Sequence, residues 1–367
     1  MPNVGQLKID ESNIFFKNVD VVVDVSKITN EEWLEYRRTG IGGSDVAAIY
    51  NISKWATAQD IYRQKKNMKV EIDNNQDKEF IFEYGHLIEP LVANEFKRRT
   101  GFEVIIDTHM YRSRKYPFMI CDVDRVVKLP DGSIVILECK TTTEFNKDAW
   151  AGGAVPKPYK LQGMHYMATL DVDVCYIACI YGNTPNEFVC SRIDRDLEEE
   201  NELIEVERNF WENHVLANIE PEPSNNGLLD IEVFRKYSGY ADPSLPIYLF
   251  DKSFLSLAKE YIDLCEMKSQ KQKEIDALDE QIKNKSLSFI QQLDKTVEGE
   301  IIINEDQYLE VKYAPRSYTK VDTEKLRLTY PEAYKEVVHV NPENSRVFSI
   351  KQKIRKKPKV TKTKKAS

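Results

Sequence analysis

The chain has 367 residues, 41% of them apolar and 31% charged, and its 52 Lys plus Arg against 60 Asp plus Glu give a formal net charge of -8. That length allows two or three domains of ~100–200 residues with a sizeable core, which excludes a disordered chain, a collagen-like repeat and a small disulfide scaffold. An acidic chain argues against broad nonspecific coating of DNA; it is no argument against a nuclease that holds metal through carboxylates.

The start MPNVGQLKIDESN has no cationic segment with an apolar run behind it, so no signal peptide is expected. No apolar stretch approaches ~18 residues, so no membrane span is expected either. The six cysteines form no C-x-x-C pair and no zinc-finger spacing. These features predict a soluble protein of a reducing compartment with free thiols.

In chain order, residues 21–25 (VVVDV) predict a strand. A short helix follows, with Thr29 or Asn30 as N-cap and Glu31 and Glu32 in its first turn, ending near Arg37 and Arg38. A glycine-rich turn, Thr39-Gly40-Ile41-Gly42-Gly43, leads to Ser44 and Asp45, expected to cap a helix over 46–50. Residues 79–99 carry apolar positions at helical spacing; Pro90 predicts a kink or a later start, and Gly101 a stop. Strands are expected at 102–106, 118–128 and 133–142, the last two joined by Pro130-Asp131-Gly132. A helix over 157–170, strands at 172–181 and 187–193, and a charged helix over 195–217 complete the unit, which ends at Pro221 and Pro223. This order suits a mixed α/β sheet flanked by helices. Residues 225–250 read as loop. Residues 252–293 read as one long helix whose polar middle, 268–273, favours a helical hairpin or a coiled coil over a core helix. Short strands at 300–303 and 308–313 and a small helix at 322–329 follow, and the tail from 351 carries nine cations and no acid. The expected organisation is a first domain over 1–224, a linker with the long helix or hairpin over 225–297, a small α/β segment over 298–350, and a basic disordered tail over 351–367.

The strongest chemical signal is Ile134-Val135-Ile136-Leu137-Glu138-Cys139-Lys140-Thr141, an apolar strand ending in an acid and a lysine two residues apart. Period two puts Glu138 and Lys140 on one face. Asp124 lies on the neighbouring strand of the hairpin, so Asp124 and Glu138 can converge on one hard cation, with the Cys139 backbone carbonyl as a third oxygen. Lys140 can then reach the attacking water or the scissile phosphate. Metal-assisted phosphodiester hydrolysis needs these parts; a surface salt bridge on a hairpin is the plainer alternative. The second signal runs from Trp33 through Arg37 and Arg38 to Ser44. Glycines before a helix N-terminus make an anion site, and an arginine can add a fork to a phosphate; an ordinary helix–loop–helix fits equally well. No Gly-Lys-Ser/Thr follows, so it is not a P-loop. Glu89 in Gly85-x-x-x-Glu89, its neighbour His86, and Gln162 in the aromatic and Met-rich stretch 159–167 mean little alone.

Together and in this order, Trp33…Arg37…Ser44, Gly85…Glu89, Asp124, Glu138-Cys139-Lys140 and Gln162 resemble the YqaJ-type viral recombinase nucleases, relatives of phage lambda exonuclease within the PD-(D/E)XK nuclease superfamily. The resemblance covers roughly residues 30–220. It implies a restriction-endonuclease-like mixed central sheet flanked by helices, with 225–367 as an α+β extension. It implies a processive 5′→3′ exonuclease on linear duplex DNA, using Mg²⁺ with Mn²⁺ able to substitute, that makes single strands for phage-type recombination. Asp124 and Glu138 would be metal ligands with the Cys139 carbonyl, Lys140 the catalytic lysine and Glu89 a supporting acid. Arg37, Ser44 and Gln162 would face the DNA phosphate. It also implies a trimeric ring around DNA, a single-strand annealing protein as partner, and a bacterial host cytoplasm for a phage or prophage gene. Two departures stand out. Asp122 occupies a position where a small hydroxyl residue is expected, so it either repels a 5′-phosphate or acts as an extra metal-side acid. Residues 225–367 extend past the nuclease unit and receive no chemistry. A related endonuclease and a non-catalytic DNA-binding or assembly protein with the same fold are the alternatives; intact Asp124, Glu138 and Lys140 speak against the latter.

Overall fold

The computed structural model describes residues 15–72, 76–182, 185–242, 244–304, 307–314 and 321–337. The basic tail and 338–350 lie outside the described residues. The chain divides into two compact units, Met1–Tyr240 and Ala241–Ser367.

The first unit opens with β1 (Val19–Asp24) and α1 (Asn30–Arg37). Thr29 caps α1 in a reciprocal box: its hydroxyl accepts from the Glu32 amide at 3.2 Å, and the Glu32 carboxylate accepts from the Thr29 amide at 2.8 Å. Next come α2 (Gly43–Ile49), α3 (Ala58–Lys65) and α4 (Gln76–Thr100). α4 is one continuous helix that contains Pro90 and stops before Gly101, whose φ is +71°. Four strands follow, β2 (Glu103–Ile105), β3 (His109–Ser113), β4 (Ile120–Asp122) and β5 (Arg125–Lys128), then β6 (Ile134–Thr141) and α5 (Lys157–Leu170). β7 (Val174–Ile180), β8 (Phe188–Asp194), α6 (Leu197–Phe210) and α7 (Gly227–Ser238) complete the unit.

Two sheets share these strands. One has the order β1-β3-β4, the other β2-β5-β6-β7-β8. Only β6 and β7 run parallel; the other pairs of the first unit are antiparallel. The five-stranded sheet is buried on both faces. Val135, Leu137 and Cys139 of β6 pack with Val92, Ala93 and Phe96 of α4, while Ile136 packs with Leu161 and Met164 of α5. The mixed α/β sheet flanked by helices is thus present, and β6 alternates as its period demands.

Four local features differ from the sequence reading. The expected strand over 118–128 is broken into β4 and β5, which lie in different sheets. Apolar residues stand on both sides of Asp122, Asp124 and Arg125, and pairing with β3 on one side and β6 on the other pulls the halves apart at Val123 and Asp124. β3 was not expected at all. The N-cap of α2 is Gly42, and Ser44 sits inside the first turn. Finally, α7 lies in a stretch read as loop; Asn226 caps it, and Lys236 and Tyr237 bind Asp60 of α3 at 2.9 and 2.8 Å.

α5 is locked in place by His165, which has no exposed surface. Its Nδ1 is 2.9 Å from Glu207 of α6 and its Nε2 is 2.9 Å from the Ile120 carbonyl of β4. Burial pushes Glu207 upward while His165 opposes that shift.

The second unit holds α8 (Phe254–Leu293), the hairpin β9 (Glu298–Asn304) and β10 (Gln307–Lys312), and the short α9 (Thr323–Thr329) and α10 (Pro331–Val337). α8 is a single helix and not a hairpin. Among the described residues of this unit none is buried.

Candidate active site

Asp124 stands at the step between the two sheets, one residue before β5. Arg125 pairs with Leu137 across the hairpin, so Asp124 comes level with Glu138. Its Oδ2 accepts a hydrogen bond from the Cys139 amide at 2.7 Å. Period two then turns Glu138 and Lys140 toward α5, on the Ile136 side. Glu138 is only 2% exposed, and its Oε1 accepts from Lys140 Nζ and, at 2.6 Å, from Gln162 Nε2. Gln162 Nε2 also donates to the Tyr166 hydroxyl at 2.8 Å. Glu138 Oε2 is buried without a hydrogen-bond partner. A buried carboxylate oxygen left in that state costs free energy.

Burial raises Asp124 well above the usual carboxylate range, and the neighbouring Glu138 adds to it. Burial raises Glu138 too, with Lys140 opposing. Lys140 is held above its ordinary range by Glu138 and Asp124 against the effect of burial, so it stays cationic. The ammonium also lies 5.2 Å from the Tyr159 ring centroid, and that ring stacks on Trp150. Two repelling buried carboxylates and one unpartnered oxygen are what a hard divalent cation relieves. Among the described residues no cluster of three or more His, Cys, Asp or Glu side chains is poised for metal. The side-chain oxygens that could hold an ion here are those of Asp124 and Glu138, a set that would leave positions for backbone and water oxygens, as Mg²⁺ coordination allows.

Glu89 on α4 is tied to Arg125, whose guanidinium also donates to the Asp124 carbonyl. His86 is exposed, 3.8 Å from Glu89. Asp122 accepts from the Trp33 indole N–H at 2.9 Å, so its carboxylate is held toward α1.

The glycine turn holds an anion of its own. Asp45 Oδ1 pairs with Arg37 Nη2 at 2.8 Å; its Oδ2 pairs with Lys65 Nζ at 2.7 Å and accepts from the Gly42 amide at 2.9 Å. Arg37 Nη2 also donates to the exposed Ser44 hydroxyl at 3.0 Å, and Lys65 donates to the Arg37 carbonyl at 2.8 Å. Despite burial, the two cations hold Asp45 at about 2. Burial outweighs Asp45 at Lys65 and lowers it to about 8, with the nearby Arg37 charge acting in the same sense. Two cations on one carboxylate explain why both partners shift downward. The turn needs glycine for lack of room: a Cβ on Gly42 would fall 1.2 Å from Arg37, and one on Gly43 would fall 2.5 Å from the Tyr166 ring. This close approach seats α2 on α5.

The structure thus brings Asp124, Glu138, Lys140, Gln162 and the Cys139 amide together, with Glu89 joined through Arg125. Arg37 and Ser44 form a second group around Asp45. Sequence reasoning missed Arg125, Lys65, Tyr159 and Tyr166. Arg125 follows Asp124 directly and carried a signal as a charge inside an apolar strand; the other three carried none.

Residues 32–173 match the YqaJ-like viral recombinase domain. YqaJ of Bacillus subtilis (strain 168), an uncharacterised protein, is 29% identical over 323 residues, spanning 88% of this chain and 94% of that protein. Among solved structures the chain is similar to LHK-Exo, an alkaline exonuclease from Laribacter hongkongensis (20% identity, 52% of this chain, 95% of that chain, TM-score 0.42). It is also similar to a phage related exonuclease from Haemophilus somnus 129PT (12% identity, 51% of this chain, 99% of that chain, TM-score 0.34). No helix among the described residues is long and apolar enough to cross a membrane. The stretch similar to the YqaJ-like viral recombinase domain thus runs from the first turn of α1 to just past the end of α5.

Proposed function

We propose that this chain is a metal-dependent exonuclease that degrades one strand of linear duplex DNA in the 5′→3′ direction and so prepares single strands for phage-type recombination. The observation that carries this reading is the buried, unpartnered Glu138 Oε2 beside Asp124, with the Lys140 ammonium fixed on the same carboxylate. Asp124 and Glu138, with the Cys139 carbonyl, would hold Mg²⁺, or Mn²⁺ in its place. When bound, the ion supplies a Lewis acid for the phosphoryl oxygen and a water of lowered pKa.

The chain's own residues do the rest. Gln162 and Lys140 fix the Glu138 rotamer from two sides. Lys140 presents a positive charge to the phosphoryl oxygens as the P–O bond to the leaving nucleotide breaks. Arg125 holds Glu89 and the Asp124 backbone, which keeps Glu89 as a supporting acid behind the ligands. Ser44, with Arg37 behind it, and Gln162 line the side proposed to face the DNA phosphate. A cytoplasmic, ring-shaped homotrimer acting on duplex ends alongside a single-strand annealing protein is part of the same reading.

Lys140→Ala is expected to lower the cleavage rate ~10²-fold or more, because it removes one charge that stabilises the transition state. Lys140→Arg should restore it only in part, since the planar fork cannot replace a point charge seated between Glu138 and Tyr159. Single-turnover rates on a labelled duplex measure both; a fully active arginine variant would reduce Lys140 to general charge. The function itself is tested with linear and covalently closed duplexes, the linear one labelled at either 5′ or 3′ end, in Mg²⁺ and in EDTA. The expected result is Mg²⁺-dependent release of 5′-terminal label first, with circles intact. Digestion of circles would point to the related endonuclease instead.

A further inference from the structure

α8 runs unbroken for 40 residues, and none of them is buried. At 1.5 Å per residue it is a rod of about 60 Å, and a helix with a polar middle gains most of its stability from packing. Its apolar positions alternate in steps of three and four. Phe254, Leu257, Tyr261 and Leu264 come first; Ile275, Leu278, Ile282 and Phe289 continue in the same register. This is the a/d seam of a two-stranded coiled coil. Apart from the half-buried Tyr261, these side chains are 47–62% exposed.

The seam is interrupted where Lys268 and Lys271 take its two central positions, and again at Lys285. Segment 268–273 holds three lysines and no acid. Segment 274–280 holds Glu274, Asp276, Asp279 and Glu280 and no base. The helix is therefore divided by charge near its midpoint.

We propose that α8 pairs with α8 of a second copy of this chain, antiparallel, about a two-fold axis near Lys273. Parallel pairing would set Lys268 and Lys271 against their own copies inside the seam, and the acidic segment against itself. Antiparallel pairing removes both conflicts. Lys271 meets the partner's Ile275, and Lys268 meets the partner's Leu278. The lysine stems lie on apolar surface while the ammonium groups reach the partner's Glu274 and Asp279 at the seam's edges. In the outer layers Leu257 meets the partner's Phe289 and Leu264 the partner's Ile282, while between them the partner's Lys285 lies against the Tyr261 ring. One charge division, repeated by symmetry, fixes both orientation and register.

Full-length protein carrying Cys190→Ser and Cys265→Ser gives the test. In that background Lys268→Cys/Leu278→Cys is expected to form a disulfide-linked dimer under a mild thiol oxidant, while each single cysteine variant stays uncross-linked. A disulfide within one chain is ruled out by ten residues of helical rise. Leu278→Asp, which removes no buried contact, should halve the mass found by sedimentation equilibrium, whatever assembly the first unit makes. Cross-linking of Lys268→Cys alone would show parallel pairing and overturn the proposal. A monomeric parent protein, or a mass that Leu278→Asp leaves unchanged, would show that the seam is covered by the same chain or by a foreign partner, and would overturn it equally.

Discussion

Asp124→Ala and Glu138→Ala are each expected to lower Mg²⁺-supported cleavage by at least ~10³-fold, while duplex binding in Ca²⁺ stays largely intact. The size follows from the part being removed. A Lewis acid at the phosphoryl oxygen is worth several kcal/mol, and ~4 kcal/mol corresponds to a thousandfold in rate. Binding should be spared because both carboxylates would repel DNA phosphates and, on the proposed reading, serve only the ion held between them. The two variants differ in one respect. Loss of Glu138 also strands Lys140 and Gln162 without their shared acceptor, so Glu138→Gln is the cleaner partner to Asp124→Asn. Single-turnover cleavage and equilibrium binding, measured on the same labelled duplex, separate chemistry from affinity. Near wild-type rates in any of these variants would remove the two carboxylates from the metal site.

Asp45→Asn is expected to cost ~3–5 kcal/mol of stability, the usual penalty for removing one member of a buried ion cluster. Arg37 and Lys65 would both remain buried and charged against an amide. The native protein should show the same dependence on acid. Asp45 is held at about 2 in the folded chain, below its unfolded value of 3.8. Its contribution is therefore complete above pH ~4 and is lost as pH falls toward ~2, an effect of ~2 kcal/mol. All four tryptophans, Trp33, Trp55, Trp150 and Trp211, lie in the first unit, so urea unfolding followed by tryptophan fluorescence reports on that unit alone. A midpoint unmoved by Asp45→Asn would mean that the cluster does not hold α1, α2 and α3 together.

The geometry of the candidate site was legible where local pattern and hairpin pairing agree. β6 reads as an apolar run, Asp131-Gly132 reads as a turn, and the two together bring Asp124 level with Glu138. α5 was legible in its full extent, and so was the side of Glu138 and Lys140. The sheet switch at Asp124 was not, because the apolar residues on either side of Asp122-Val123-Asp124-Arg125 read as one strand and tertiary pairing divides them. The destination of Arg37 was hidden for a related reason. Glycines before a helix suggest an anion from outside, whereas Asp45, three residues past Gly42, supplies the negative charge from within. Lys65 reaches that carboxylate from a helix 20 residues later, and nothing in its neighbours marks it.

The hydrogen bond from the Cys139 amide to Asp124 has a consequence for chemical labelling and for sequence drift. The carboxylate is aimed by main chain, so the identity of the side chain at 139 is irrelevant to its aim. That side chain faces α4, and burial pushes its thiol far above the range in which a thiolate forms. The sulfur next to the candidate site is thus chemically silent. Alkylating agents should spare it while labelling the exposed Cys265, and valine or alanine should serve at 139 as well as cysteine does.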